Sequence, residues 1–292
     1  MRIGITLLVF LGCNESTGGR STASTTSTTG SGGHDLAVDP ITGNCLDAAK
    51  LVYVVDESYQ FSSFDPSTLT FNNLGMLDCP GTTGDTPFSM AVDRAAQAWV
   101  LYQSGKVFKV DTTNNIKCTA TTFQMGQDGF EQFGMGFAAD DVNSDSETLF
   151  IAGGSAQDIG SGSSMFGSIG FPSMKVSSIG SVDGWPELTG TGDAKLWGFY
   201  PDTTPPKVSQ IEKTSGKSLM TFPASSLQGT PEAWAFAFWG GDFWIFLKRD
   251  VDSSTTVYQL KQSDGSIKAV KSNTGRKIVG AGVSTCAPVT VG

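Results

Sequence analysis

Three features of the sequence predict an all-β chain closed into a ring. Strand-like runs carrying an aromatic recur along it at a near-constant spacing. Each run sits within the same order of short strands. The first group lacks its innermost strand, and the end of the chain carries a run of the missing kind.

The aromatic runs are Leu51-Val52-Tyr53-Val54-Val55, Ala98-Trp99-Val100-Leu101-Tyr102, Leu149-Phe150-Ile151, Leu196-Trp197-Gly198-Phe199-Tyr200 and Phe243-Trp244-Ile245-Phe246-Leu247. Their aromatics are spaced by 46, 51, 47 and 47 residues. A second, alternating strand and a polar turn follow each run. Gln60–Phe64, Lys106–Val110, Met165–Phe171, Val208–Ile211 and Thr256–Leu260 are these strands. A further short strand comes after each turn, as in Leu69–Leu77 and Ser266–Val270.

A strand of small and apolar residues precedes each run after the first. These are Ser89–Val92, Gly134–Phe137, Leu188–Thr191 and Trp234–Phe238. Small residues suit the crowded innermost strand of a blade. Ile278–Val283 supplies the strand missing from the first group. Such a period reads as a β-propeller of five blades, each of four antiparallel strands, closed by pairing of N- and C-terminal strands. Closure removes the edges an open array would expose. A β-sandwich or two smaller β domains is the alternative.

Composition agrees. The chain has 292 residues, 39% hydrophobic and only 16% charged, with 36 glycines. That suits short strands and tight turns rather than long helices. A net charge of −9 repels phosphate backbones, so no nucleic acid partner is expected. The one histidine, His34, lies in low-complexity sequence, which nearly removes imidazole chemistry.

Residues 1–12 read as a short signal peptide: Arg2, then the apolar run Ile3–Leu11. The run is too short to span a bilayer. It ends in Phe10-Leu11-Gly12-Cys13, which resembles the bacterial lipoprotein signal. That resemblance implies lipidation of Cys13 and membrane attachment through a lipid anchor. Residues 13–35 are rich in Ser, Thr and Gly and read as a flexible tether. Residues 36–292 read as the propeller domain. As a whole the chain resembles uncharacterised bacterial lipoproteins with a β-propeller domain. The implied location is the cell envelope, at the outer membrane.

Five cysteines minus Cys13 leave an even four. An oxidising compartment would pair them. Ring closure brings Cys286, at the end of the innermost strand, near Cys45, just before the next strand. Cys79 and Cys118 occupy similar points of adjacent blades and form the other expected pair. Free thiols in a reducing cytosol are the alternative.

Two sets of side chains are candidates for chemistry. Asp141, Asn143 and Asp145 match the alternating oxygen ligands of a calcium loop, with Glu147 as a fourth donor. Together with Phe133–Asp140 they resemble one blade of the FG-GAP repeat, which implies calcium; no other cofactor is expected. Ser146 stands where that repeat has Gly, and Leu149 where it has a closing Asp. A solvated hairpin turn is the plainer reading.

The second set is Asp85, Glu131, Glu187 and Glu232, just before the innermost strands. Strand starts gather at one mouth of a propeller axis. Clustered carboxylates there suit glycoside hydrolysis, or simply tune the charge of the mouth. Fold alone implies no function. The leading expectation is a binding or scaffold module for a protein or glycan. A carbohydrate-active enzyme and a purely structural envelope protein are the alternatives.

Overall fold

The computed structural model describes residues 45–142 and 144–290. The expected signal peptide, Cys13, the expected tether and Asn143 lie outside the described residues.

The domain is a five-bladed β-propeller. The closing blade pairs β20 (Ile278–Gly282) with β1 (Val52–Asp56), β2 (Gln60–Asp65) and β3 (Thr70–Met76). The second blade is β4 (Pro87–Val92), β5 (Gln97–Tyr102), β6 (Val107–Asp111) and β7 (Lys117–Ala120). The third is β8 (Gln132–Ala139), β9 (Glu147–Gly154), β10 (Ser163–Gly170) and β11 (Lys175–Asp183). The fourth is β12 (Glu187–Gly190), β13 (Leu196–Tyr200), β14 (Lys207–Ile211) and β15 (Ser218–Pro223). The fifth is β16 (Pro231–Trp239), β17 (Asp242–Arg249), β18 (Thr256–Lys261) and β19 (Ile267–Lys271). Neighbouring strands within each blade are antiparallel.

The inner strands pack around the axis in the order β20, β4, β8, β12, β16 and back to β20. Their backbones nearly touch. A Cβ on Gly134 would stand 2.1 Å from the Pro186 carbonyl oxygen, and one on Gly190 would stand 2.0 Å from that of Phe137. Gly280 and Gly282 likewise abut Met90, Ala91 and Val92 of β4. Glycine here allows close strand approach rather than a special dihedral.

The recurring aromatics all lie on the second strand and are buried: Tyr53, Trp99, Phe150, Trp197 and Trp244. Their partners on the inner strand are Gly282, Ala91, Gly136, Thr189 and Ala237. A small residue therefore faces each large one. The rings pack into clusters shared between blades; Trp197 of the fourth lies 4.8 Å from Phe243 of the fifth, centroid to centroid.

Two disulfides are present. Cys45–Cys286 spans the junction of the chain ends, and Cys79–Cys118 joins the connection after β3 to β7. The ends are also held by hydrogen bonds. Ser284 Oγ donates to Ala49 O at 2.6 Å, and Tyr53 Oη donates to Ala48 O at 2.9 Å. Trp239 Nε1 of the fifth blade donates to Lys50 O at 2.9 Å.

A non-reducing peptide map should recover Cys45–Cys286 and Cys79–Cys118; a Cys79–Cys286 peptide would contradict this closure. Replacing both Cys79 and Cys118 with Ser should lower unfolding free energy by about 2–4 kcal/mol in urea titrations. Gly190→Ala should cost about 1–3 kcal/mol or more, because a methyl has no room between β8 and β12.

Candidate functional site

The inner strands run the same way round the axis. Gly134 meets Glu187, Gly136 meets Leu188, and Ala138 meets Gly190, so β8 and β12 advance in step. The strand starts thus gather at one mouth and the ends at the other.

The mouth at the starts holds a cavity of about 100 Å³. Phe88 of β4, Glu187 of β12, Glu232 and Trp234 of β16, and Val279 beside Lys277 at β20 contribute to its wall. Four of the five blades meet there. Phe88 and Trp234 are half-buried.

Glu187 is the first residue of β12 and only 3% exposed. Ser89 Oγ of β4 donates to its Oε2 at 2.8 Å. In the ring β8 stands between β4 and β12, so this bond crosses the axis. Burial disfavours the charged form and raises the Glu187 carboxyl well above the usual carboxylate range. The Ser89 bond and a backbone bond from Met135 oppose that shift without cancelling it. Its protonated form is thus favoured by folding.

The other charges of the mouth are paired. Glu232 contacts Lys248 Nζ, and Glu57 lies 2.9 Å from Lys277 Nζ. Asp85 and Glu131 are not part of this wall. Asp85 accepts hydrogen bonds from the backbone N–H and hydroxyl of Ser104, and Glu131 is a half-buried residue just ahead of β8. The four acids therefore do not act as one cluster: Glu187 and Glu232 share the cavity and the other two stand apart from it.

At the opposite mouth Asp145 meets the Arg94 guanidinium, and Glu147 meets the Arg94 backbone and Thr285. Arg94 Nη2 lies 2.9 Å from Asp145 Oδ1. The Arg94 backbone N–H donates to Glu147 Oε1 at 2.8 Å, and Thr285 Oγ1 donates to Glu147 Oε2 at 2.8 Å. Burial pushes the Glu147 carboxyl up to about 7. Arg94 also reaches Cys45 Sγ at 3.5 Å. Among the described residues no three His, Cys, Asp or Glu side chains are placed to hold a metal ion. In this arrangement Asp145 and Glu147 are turned to Arg94 and Thr285.

Several residues of both mouths escape sequence reasoning. Ser89, Lys277 and Arg94 lie far in the chain from the acids they meet. Trp234 carried a faint signal, as an aromatic two residues after Glu232 at the start of its inner strand.

No family model matches the chain, and no curated protein matches it. Solved structures give distant likenesses. A structure titled as a nidogen/laminin complex is 8% identical, with a TM-score of 0.49, and covers 80% of this chain and 97% of its own. A protein of unknown function from Bacteroides thetaiotaomicron is 14% identical, at 0.45, covering 76% of this chain and 55% of its own. TolB from Acinetobacter baumannii is 12% identical, at 0.43, covering 76% and 53%. Likenesses this distant carry no functional argument, and the fold assignment rests on the strand topology above.

Glu187 binds its proton more tightly folded than unfolded, so stability falls as pH rises from about 4.5 towards its folded pKa. The slope it adds is at most about 1.4 kcal/mol per pH unit for one proton. Glu187→Gln mimics the protonated acid and should flatten that fall in urea titrations from pH 4.5 to 8. Glu147 should leave a residual slope that ends near pH 7. An unchanged profile in the variant would show that Glu187 is ionised.

Proposed function

We propose that this chain is an exported, lipid-anchored binding module of the bacterial cell envelope, with the mouth at the starts of the inner strands as its recognition face. The cavity lined by Phe88, Trp234 and the buried Glu187 carries this reading. It is concave and partly aromatic, with a few polar groups converging on it, as small recognition sites are. Its protein charges are neutralised within the wall, so it does not select a ligand through net charge.

Export and anchoring are supported by separate features. The run Ile3–Leu11 and Gly12-Cys13 fit a lipoprotein signal, and the Ser/Thr/Gly-rich stretch after it suits a tether. Two disulfides fit an oxidising compartment. Among the described residues no helix is long and apolar enough to cross a membrane.

Recognition is better supported than turnover. A general acid must reach the bond it protonates. Glu187 is 3% exposed and tied to Ser89, while Glu232 is engaged with Lys248. These carboxyls build a wall.

Radiolabelled palmitate should enter the expressed chain and not a Cys13→Ser variant; equal labelling would remove the anchor. The Cys13→Ser chain should still co-sediment with isolated cell-envelope fractions. Adding Trp234→Ala should weaken that binding at least tenfold, whereas adding Leu219→Ser on the exposed strand β15 should not. Undiminished sedimentation of the Trp234 variant, with an unchanged unfolding midpoint, would overturn the mouth as the recognition face.

A further inference from the structure

The mouth at the strand starts extends beyond its axial recess. A second recess, of about 480 Å³, lies between the closing and fifth blades. The two share Glu57 and Lys277 as a common wall, and Lys248 on the second pairs with Glu232 on the first. A furrow therefore runs from Phe88 and Trp234 at the axis, over the Glu57–Lys277 pair, to Ser253, Asn273 and Arg276.

Its two parts differ in chemistry. The axial part, at about 100 Å³, is too small for a whole sugar ring and takes one side chain. Pro87, Phe88, Ala233, Trp234 and Val279 give it an apolar wall, which suits an aliphatic group. No aliphatic or aromatic side chain lines the outer part. There Ser253 Oγ donates to Asn273 Oδ1 at 3.2 Å, which leaves the Asn273 amide hydrogens for another acceptor.

Arg276 gives the outer part a charge preference. Its Nη1 donates to Ser62 Oγ at 2.8 Å, its Nη2 donates to Asn73 Oδ1, and the guanidinium lies 5.1 Å over the Phe71 ring. These partners are neutral and hold the group in place. Lys248 and Lys277 each have a glutamate. Among the described residues no carboxylate lies within ion-pair distance of Arg276. Asp56 feels its charge but is only 5% exposed, and Asp56 Oδ1 accepts the N–H groups of Ser58 and Gln60. Two of the five N–H donors of Arg276 are engaged, and a carboxylate matches the planar fork that remains.

An occupant of the whole furrow needs a small apolar group, polar contacts and a carboxylate along one extended chain. A polypeptide segment carries all three. A glycan lacks the first, because its rings exceed the axial part.

Resting on the reading of this mouth as a recognition face, we propose that it takes an extended acidic segment of a protein partner, with one aliphatic side chain in the axial recess and a carboxylate on Arg276.

The test uses the full chain carrying Cys13→Ser and fluorescence anisotropy. The probes are short labelled Gly/Ser peptides with a single Leu and a single Glu, set one to four residues apart in either order. At least one should bind, at least tenfold more tightly than its counterparts with Ser for the Leu or Lys for the Glu. Trp234→Ala should weaken it at least tenfold. Arg276→Gln should weaken it at least fivefold, yet leave the counterpart with Gln for the Glu within about twofold. Absence of binding by every Leu/Glu peptide overturns the proposal. So does a normally folded Arg276→Gln variant that still prefers Glu to Gln. Protease treatment of the envelope fraction should abolish co-sedimentation; binding that survives it also overturns the proposal, and loss of that binding on periodate oxidation would assign it to a glycan. If no peptide binds while Trp234→Ala still weakens sedimentation, the ligand class fails and the recognition face stands. If sedimentation is also unaffected, both fail.

Discussion

Crowding at the axis is the constraint on which the rest of this propeller depends. Five inner strands must pack side by side with their backbones almost in contact. Each then has room only for Gly, Ala, Ser or Thr where it faces the bulky residue of the second strand. The pairs Tyr53–Gly282, Trp99–Ala91, Phe150–Gly136, Trp197–Thr189 and Trp244–Ala237 are five solutions to one problem. Blades widen outwards, so the aromatic fills the wedge that the small residue leaves. Close packing of this kind tolerates neither a cavity nor an added methylene without cost.

Closing the ring makes a second demand. The chain ends must share one blade, so β20 pairs with β1 although they lie at opposite ends of the domain. Strand pairing alone would leave this seam easy to open. Cys45–Cys286, Ser284 on Ala49 and Tyr53 on Ala48 hold it from several directions. Arg94 belongs to the same junction, linking Cys45 and Thr285 to Glu147 and Asp145 of the third blade. Asp145 and Glu147 thus tie the third blade to the seam.

The same crowding shapes the proposed site. Because the inner strands leave almost no channel, the mouth is a shallow recess and not a pore. Glu187 lines it, where burial disfavours its charged form and Ser89 reaches it from across the axis. Ion pairs ring the recess without adding net charge. A site of this form reads shape and hydrogen-bonding pattern more than charge.

Much of this was legible in the sequence because it is local or periodic. The aromatic spacing and the small-residue strands specified five four-stranded blades, and the strand at Ile278–Val283 specified how they close. An even cysteine count, with Cys45 and Cys286 flanking the closure, followed from the same period. Side-chain partnerships were not legible. Glu187 and Glu131 hold equivalent places before or at their inner strands, yet one is sealed under Ser89 and the other remains half-buried beside its strand. Asp141, Asp145 and Glu147 have ligand spacing, but Arg94, some fifty residues away, takes two of them. Spacing along a strand determines which residues share a face, since side chains alternate with a period of two. What meets that face is decided by the packing of distant segments around the axis, which no local pattern encodes.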